Sequence, residues 1–144
     1  MQNRKARFRY RIEETLEAGV VLLGSEVKAV REGKANLADS FVRMKRGEAY
    51  LVGCHIGSFS AAAVDAHEPR RERKLLLHRR EIERLAGKVR EKGLTLVVTR
   101  LYFKDGRLKA EVALARGKKS HDKRSVLRER SERKDMERAL KQRR

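Results

Sequence analysis

The sequence holds a single cysteine, Cys54, in 144 residues. That rules out an intramolecular disulfide and leaves no basis for a zinc site built on cysteines. No apolar run approaches the roughly 18 residues that a membrane span needs, and no signal-peptide pattern opens the chain, so a cytoplasmic protein with no membrane partner is expected. The motifs G-x-x-x-x-G-K-[ST], G-x-S-x-G and H-E-x-x-H are all missing. The four histidines, His55, His67, His78 and His121, show no i, i+4 pairing and no metal-ligand spacing. They read as surface or packing residues of a protein that is not an enzyme and takes no cofactor or metal. Asn and Gln are scarce (Asn3, Asn36, Gln2, Gln142), which fits heat adaptation, but the accompanying wealth of arginine has a simpler explanation in a polyanionic partner, so the scarcity carries little weight.

What the chain has in quantity is positive charge. Thirty-eight Lys and Arg face twenty Asp and Glu, a net charge of +18 with a pI near 10.8. Residues 117–144 carry twelve Lys and Arg, five Asp and Glu, and five apolar side chains (Val126, Leu127, Met136, Ala139, Leu140). Such a segment cannot bury enough apolar surface to offset its ordering entropy, so it is expected to be disordered alone. Arg128 with Glu132 and Glu129 with Arg133 stand four apart, but each pair gives only about 0.2–0.5 kcal/mol, too little to hold a free helix. Residues 1–116 remain as one domain and still carry +11. A basic body with a basic tail implies a polyanionic partner, most commonly nucleic acid.

In chain order, Ala6, Phe8, Tyr10 and Ile12 alternate with Arg7, Arg9 and Arg11, which predicts a half-buried strand with three guanidiniums on its outer face. Glu13, Glu14 and Glu17 read either as charge balance for Arg9 and Arg11 or as carboxylates that accept from base edges. Val20 to Leu23 predict a short buried strand, and Ser25 a helix N-cap, with Glu26 in the first turn and Gly33 past the end. Phe41–Met44 and Ala49–Ile56 read as strands joined through Arg46-Gly47-Glu48, followed over 57–74 by a long loop ending in a basic patch. Ile82, Leu85, Ala86 and Val89 mark the buried face of a helix that Gly93 ends. Asp105-Gly106 joins two alternating strands as a hairpin, with Leu108, Ala110, Val112 and Leu114 on one face. The expectation is a mainly β, α+β domain: a small closed barrel of six antiparallel strands with two or three added helices. The oligonucleotide-binding barrel is the basic, RNA-binding member of that set, though the pattern does not single it out.

Seven blocks then occur in order: Asn3-Arg4-Lys5-Ala6-Arg7, Glu17-Ala18-Gly19, Gly24-Ser25-Glu26-Val27-Lys28, the run from Gly33 to Ser40, Arg73-Lys74-Leu75-Leu76-Leu77-His78, Leu101-Tyr102-Phe103-Lys104, and the run from Gly117 to Arg124. Together they resemble the small protein B family, the SsrA-binding proteins that partner bacterial transfer-messenger RNA. The likeness spans nearly the whole chain. It departs at His55-Ile56-Gly57-Ser58-Phe59, where relatives often show His-Ile-x-Pro-Tyr, and at Val98, where they often carry proline after Thr-Leu-Val.

The resemblance implies an oligonucleotide-binding barrel that holds the tRNA-like domain of transfer-messenger RNA near its D-loop and elbow. With elongation factor Tu and GTP, the complex enters stalled ribosomes for trans-translation. It also implies RNA contacts at Asn3, Glu17, Leu76 and Lys109, with Lys5, Arg7, Lys28 and Lys74 beside them. The tail, through Gly117, Lys118, Lys119, His121, Asp122, Lys123 and Arg124, would occupy the empty small-subunit decoding site, becoming partly helical along the mRNA channel. The competing expectations are a generic basic RNA-binding or ribosomal protein and, from the histidines, a ribonuclease.

Overall fold

The computed structural model describes residues 1–58, 67–117, 134–136 and 138. Among the described residues up to 117, eleven elements follow one another: α1 (Arg4–Arg9), β1 (Tyr10–Val20), α2 (Gly24–Arg31), β2 (Ala35–Asn36), β3 (Phe41–Lys45), β4 (Glu48–Val52), β5 (His55–Ile56), β6 (Arg73–Leu76), α3 (Arg79–Lys92), β7 (Thr95–Lys104) and β8 (Arg107–Gly117). Six strands form one antiparallel sheet in the order β3-β4-β6-β1-β8-β7, and β2 pairs separately with β5.

The expected closed barrel is not seen. Cα atoms of the edge strands β3 and β7 approach within 8 Å, so the sheet curls, but no ladder joins them. Part of the β7 edge is already taken by the start of the chain. The Asn3 amide donates to the Thr99 carbonyl at 2.7 Å, the Leu101 amide to Met1 at 2.9 Å, and Gln2 bridges to Arg100. Beyond those groups the seam stays open as a cavity of about 490 Å³ bordered by Phe41, Met44, Ala86, Val89 and Thr95.

Residues 4–9 are helix, not the strand that their alternation predicts. Asn3 caps this helix: its Oδ1 accepts from the Ala6 amide at 3.1 Å, and Arg7 and Arg9 fall in the last turn, where the helix dipole favours cations. A helix of six residues is too short to display a 3.6-residue period, so the period-two pattern carried no information there. Ala6 packs with Tyr10 and Ile12 on Val97, Ala113 and Ala115, small side chains that let α1 lie close on the outer face of β7 and β8.

The next strand is likewise not the short one expected. β1 runs without a break through the acidic cluster to Val20, with a bulge between Ile12 and Glu14, while Val21 and Leu23 are exposed. The N-cap of α2 is Leu23, not Ser25; the Glu26 carboxylate takes the capping part by accepting from the Leu23 amide at 2.8 Å. The basic patch expected near residue 73 is partly interior, because Arg73 belongs to β6 and is fully buried.

The two hairpins form as predicted. Arg46-Gly47 and Asp105-Gly106 all have φ between 53° and 76°, the left-handed pair that a two-residue turn requires. The strand expected over 49–56 is divided at Gly53 (φ 77°), where β4 ends. Helix α3 buries Ile82 and Leu85 and ends at Gly93 in the left-handed conformation. β7 runs on through Val98, as valine in place of proline predicts. The inner side of the sheet, with Ala18, Leu51, Leu75, Val98, Leu101, Ala110, Val112 and Leu114, packs with Leu85 into one core. Burying each large aliphatic side chain there contributes about 1.5–3 kcal/mol.

Candidate nucleic-acid interface

The outer face of β6, β1, β8 and β7 divides in two. Helix α1 covers the end near Tyr10 and Gly117, and the other end is open. Strand register sets what stands there: Leu76 lies opposite Gly19, Gly19 opposite Lys109, Lys109 opposite Tyr102, and Glu17 opposite Glu111. Glycine at position 19 makes this approach practicable, since a Cβ there would come within 3.3 Å of the Leu76 side chain. Leu76 is 55% exposed, an unusual position for the middle leucine of a triple-Leu run. With Gly19, Val20, Val27, Leu108 and Lys109 it lines a cavity of about 240 Å³.

Glu17 sits at the margin of this patch with partners on one oxygen. The Tyr102 hydroxyl donates to its Oε2 at 2.5 Å, and Lys104 Nζ lies 3.5 Å from the same atom. The Tyr102 hydrogen bond, the Lys104 ammonium and the nearby Lys109 charge hold the Glu17 carboxyl below its ordinary pKa. Partial burial, together with the ionised Glu17, pushes the Tyr102 phenol up to about 12, so it stays a donor at any ordinary pH. Behind it, the Arg100 guanidinium stacks 4.6 Å from the Tyr102 ring centroid and lies 3.5 Å from Glu111. Glu111 also accepts from the Thr99 hydroxyl and lies 3.7 Å from Arg7. The other two acidic residues of the cluster have gone elsewhere: Glu14 pairs with Arg84 and Lys88 of α3, and Glu13 with Arg116 of β8, not with Arg9 or Arg11.

Of the residues expected to touch RNA, Glu17, Leu76 and Lys109 are brought together on this open face. Lys74 stands two residues from Leu76 on β6, bonded to Glu48 at 2.9 Å, and Lys28 is exposed on α2 next to Val27. Arg7 lies 3.7 Å from Glu111, and Lys5 of α1 is bound to Asp39 at 2.7 Å. Asn3 is 3% exposed; its Nδ2 donates to the Leu37 and Val98 carbonyls at 2.9 and 3.0 Å, so its side chain is spent inside the protein. Gly117 ends β8, and Lys118, Lys119, His121, Asp122, Lys123 and Arg124 lie outside the described residues. Tyr102, Lys104 and Arg100 were not expected. The Asp105-Gly106 turn alone sets Tyr102 opposite Lys109, but its meeting with Glu17 needs the β1–β8 register.

Chemistry of bond making is poorly served. His55, His67 and His78 stand on separate segments, and His67 is engaged with the Ser25 hydroxyl and the Ile56 carbonyl, both at 2.9 Å. Burial pushes the Cys54 thiol up to about 11, far from a reactive thiolate. Among the described residues no three of His, Cys, Asp and Glu gather as metal ligands, and no helix is long and apolar enough to cross a membrane.

Comparison with known proteins bears on the same chain. The family described as SmpB protein matches residues 1–142. This chain belongs to the SmpB family. The SsrA-binding protein of Thermosynechococcus vestitus is 54% identical over 143 residues, covering 99% of this chain and 94% of that protein. The SsrA-binding protein of Kineococcus radiotolerans is 56% identical over 141 residues, covering 98% and 90%. A chain in the solved structure "tmRNA-SmpB: a journey to the center of the bacterial ribosome" superposes with a TM-score of 0.70 at 48% identity, covering 83% of this chain and 85% of that one. The SmpB likeness thus runs through the sheet, α1 and most of the tail sequence.

Proposed function

We propose that this chain binds transfer-messenger RNA and serves with it in trans-translation on the ribosome, catalysing no reaction itself. The observation that carries this reading is the family match across residues 1–142, to proteins named for SsrA binding. The open outer face supports it: Leu76 and Lys109 line a cavity there, and Glu17 stands two residues from Gly19 on the strand between them, in a chain of net charge +18. Cations on such a face bind phosphate through counterion release, and the exposed leucine and cavity suit a base or sugar that is not stacked in a helix.

In finer detail, the curled sheet acts as an oligonucleotide-binding fold for the tRNA-like domain near its D-loop and elbow. Lys28, Lys74 and Lys109 supply charge toward the RNA, and Asn3, Lys5 and Arg7 keep α1 and the β7 edge in place beneath it. Residues 1–116 form the RNA-binding body, and residues 117–144 the arm that reaches the vacant small-subunit decoding site. Elongation factor Tu with GTP joins the delivery complex.

Competition at fixed salt tests the proposal. The tRNA-like domain should displace bulk tRNA and duplex RNA from the protein at equal concentrations. Equal affinity for all three would leave only a generic basic RNA-binding protein. RNA recovered intact after long incubation with excess protein removes the ribonuclease alternative.

A further inference from the structure

An acidic side chain at a phosphate-binding face needs a reason, because it repels the backbone its neighbours attract. Glu17 is such a residue, and resting on the proposed RNA-binding role, its geometry specifies what it takes. One oxygen, Oε2, is fixed by the Tyr102 hydroxyl and flanked by Lys104, while Oε1 accepts no hydrogen bond among the described residues. The side chain is 38% exposed, so that oxygen can be reached. Tyr102 in turn is held between its Glu17 hydrogen bond and the stacked Arg100, which Glu111 anchors. The carboxylate is therefore presented in one orientation, with ammonium groups at its side and the Leu76 cavity close by.

An ionised carboxylate only accepts hydrogen bonds. On the Watson–Crick edges of the four RNA bases, adenine and cytosine offer one amino group beside a ring acceptor that repels a carboxylate. Uracil offers one imino group between two carbonyls. Guanine alone offers two adjacent donors, the 2-amino group for Oε1 and N1–H for a remaining lone pair of Oε2, and its O6 comes next on the same edge, where the ammonium beside Oε2 complements it. Such edges are accessible in unpaired loop nucleotides. We infer that Glu17 reads the Watson–Crick edge of one unpaired guanine, with Lys104 or Lys109 toward its O6 and Tyr102 as the residue that positions the carboxylate.

Inosine keeps N1–H and O6 but lacks the 2-amino group, so it isolates the contact. Each unpaired guanine of the tRNA-like domain is replaced singly by inosine, and binding is measured for the intact protein, Glu17→Ala and Tyr102→Phe. One replacement should weaken binding to the intact protein by about tenfold, the scale of a lost hydrogen bond to a charged group. Glu17→Ala, which removes both acceptor oxygens, should bind the unmodified RNA about tenfold more weakly and no longer distinguish inosine at that position. Tyr102→Phe should remain folded, and its affinity should begin to fall at a higher pH than that of the intact protein. The charged and titratable groups facing Glu17 are Tyr102, Lys104 and Lys109, with Glu111 opposite in register. Of the groups around it, the Tyr102 hydroxyl does most to keep the carboxyl ionised in mild acid.

Indifference of the intact protein to every inosine, or guanine preference surviving in Glu17→Ala, overturns the inference while leaving preferential binding of the tRNA-like domain intact. An unshifted pH profile in Tyr102→Phe overturns the positioning role. Equal binding of the tRNA-like domain and bulk tRNA removes both this inference and the function it rests on.

Discussion

Arg73 and Glu26 are both fully buried, and their ion pair ties α2 to β6. Arg73 Nη1 also donates to the Cys54 carbonyl at 2.7 Å and Nη2 to Pro69 at 3.2 Å, while Arg71 reaches Glu26 Oε1 at 2.5 Å. Removing one member of a buried pair strands the rest, so Arg73→Ala is expected to lose about 3–5 kcal/mol of unfolding free energy in a denaturant titration. Burial alone would raise the Glu26 carboxyl, but Arg71, the Leu23 amide and Arg73 outweigh it and hold the pKa below its ordinary value. A carboxyl lowered in the folded state stabilises fully above its unfolded pKa, and that contribution disappears as pH falls through the folded value. Melting temperatures should therefore fall below about pH 4.5, with a shallower acid slope in Glu26→Gln. Arg73 shows the limit of reading charge from sequence. An arginine beside Arg70, Arg71 and Lys74 looks solvated, and only the fold reveals a carboxylate from α2 waiting for it.

At the scale of elements, α1 is the instructive case. Its six residues cannot persist alone, and it survives because Asn3 caps it and Ala6 meets the alanines of β8. Asn3→Ala would remove the cap and two buried donors together, with an expected cost of about 1–3 kcal/mol. RNA binding should weaken as the α1 region loosens, and it should recover in conditions that restore the melting temperature. Persistent loss of binding in a fully folded variant would instead make Asn3 a direct RNA contact. Helix α3 was legible because fourteen residues display their period, whereas α1 and the short β2 and β5 display none. The hairpins were legible for another reason: the Asp105-Gly106 turn fixes its own register locally.

For the whole molecule, the charge divides between a body at +11 and a tail at +7, and either attracts a polyanion. Because β8 extends to Gly117, which pairs with Tyr10, the informative truncation falls after Gly117 and leaves the sheet whole. That variant should bind isolated transfer-messenger RNA with nearly unchanged affinity yet fail to support tagging on stalled ribosomes. Joint loss of both activities would put the tail in the primary RNA site. Raising salt from 50 to 200 mM should weaken binding steeply in both forms, with a smaller slope in the truncated one if the tail also contacts phosphate.

The sequence by itself determined the class of partner, the family, α3, the two hairpins and the alternation that makes β8 half core. These rest on total charge, local periods and turn chemistry, which neighbours along the chain carry entirely. Tertiary structure decided the rest. It turned an apparent strand into α1, buried Arg73 and Asn3, and left the curled sheet open where the first residues occupy the β7 edge. It also chose Glu17, among three neighbouring glutamates, to face outward beside Tyr102, Leu76 and Lys109. That choice depends on the register of β1 against β8 and of β6 against β1, contacts between residues up to about a hundred positions apart, which no local pattern encodes.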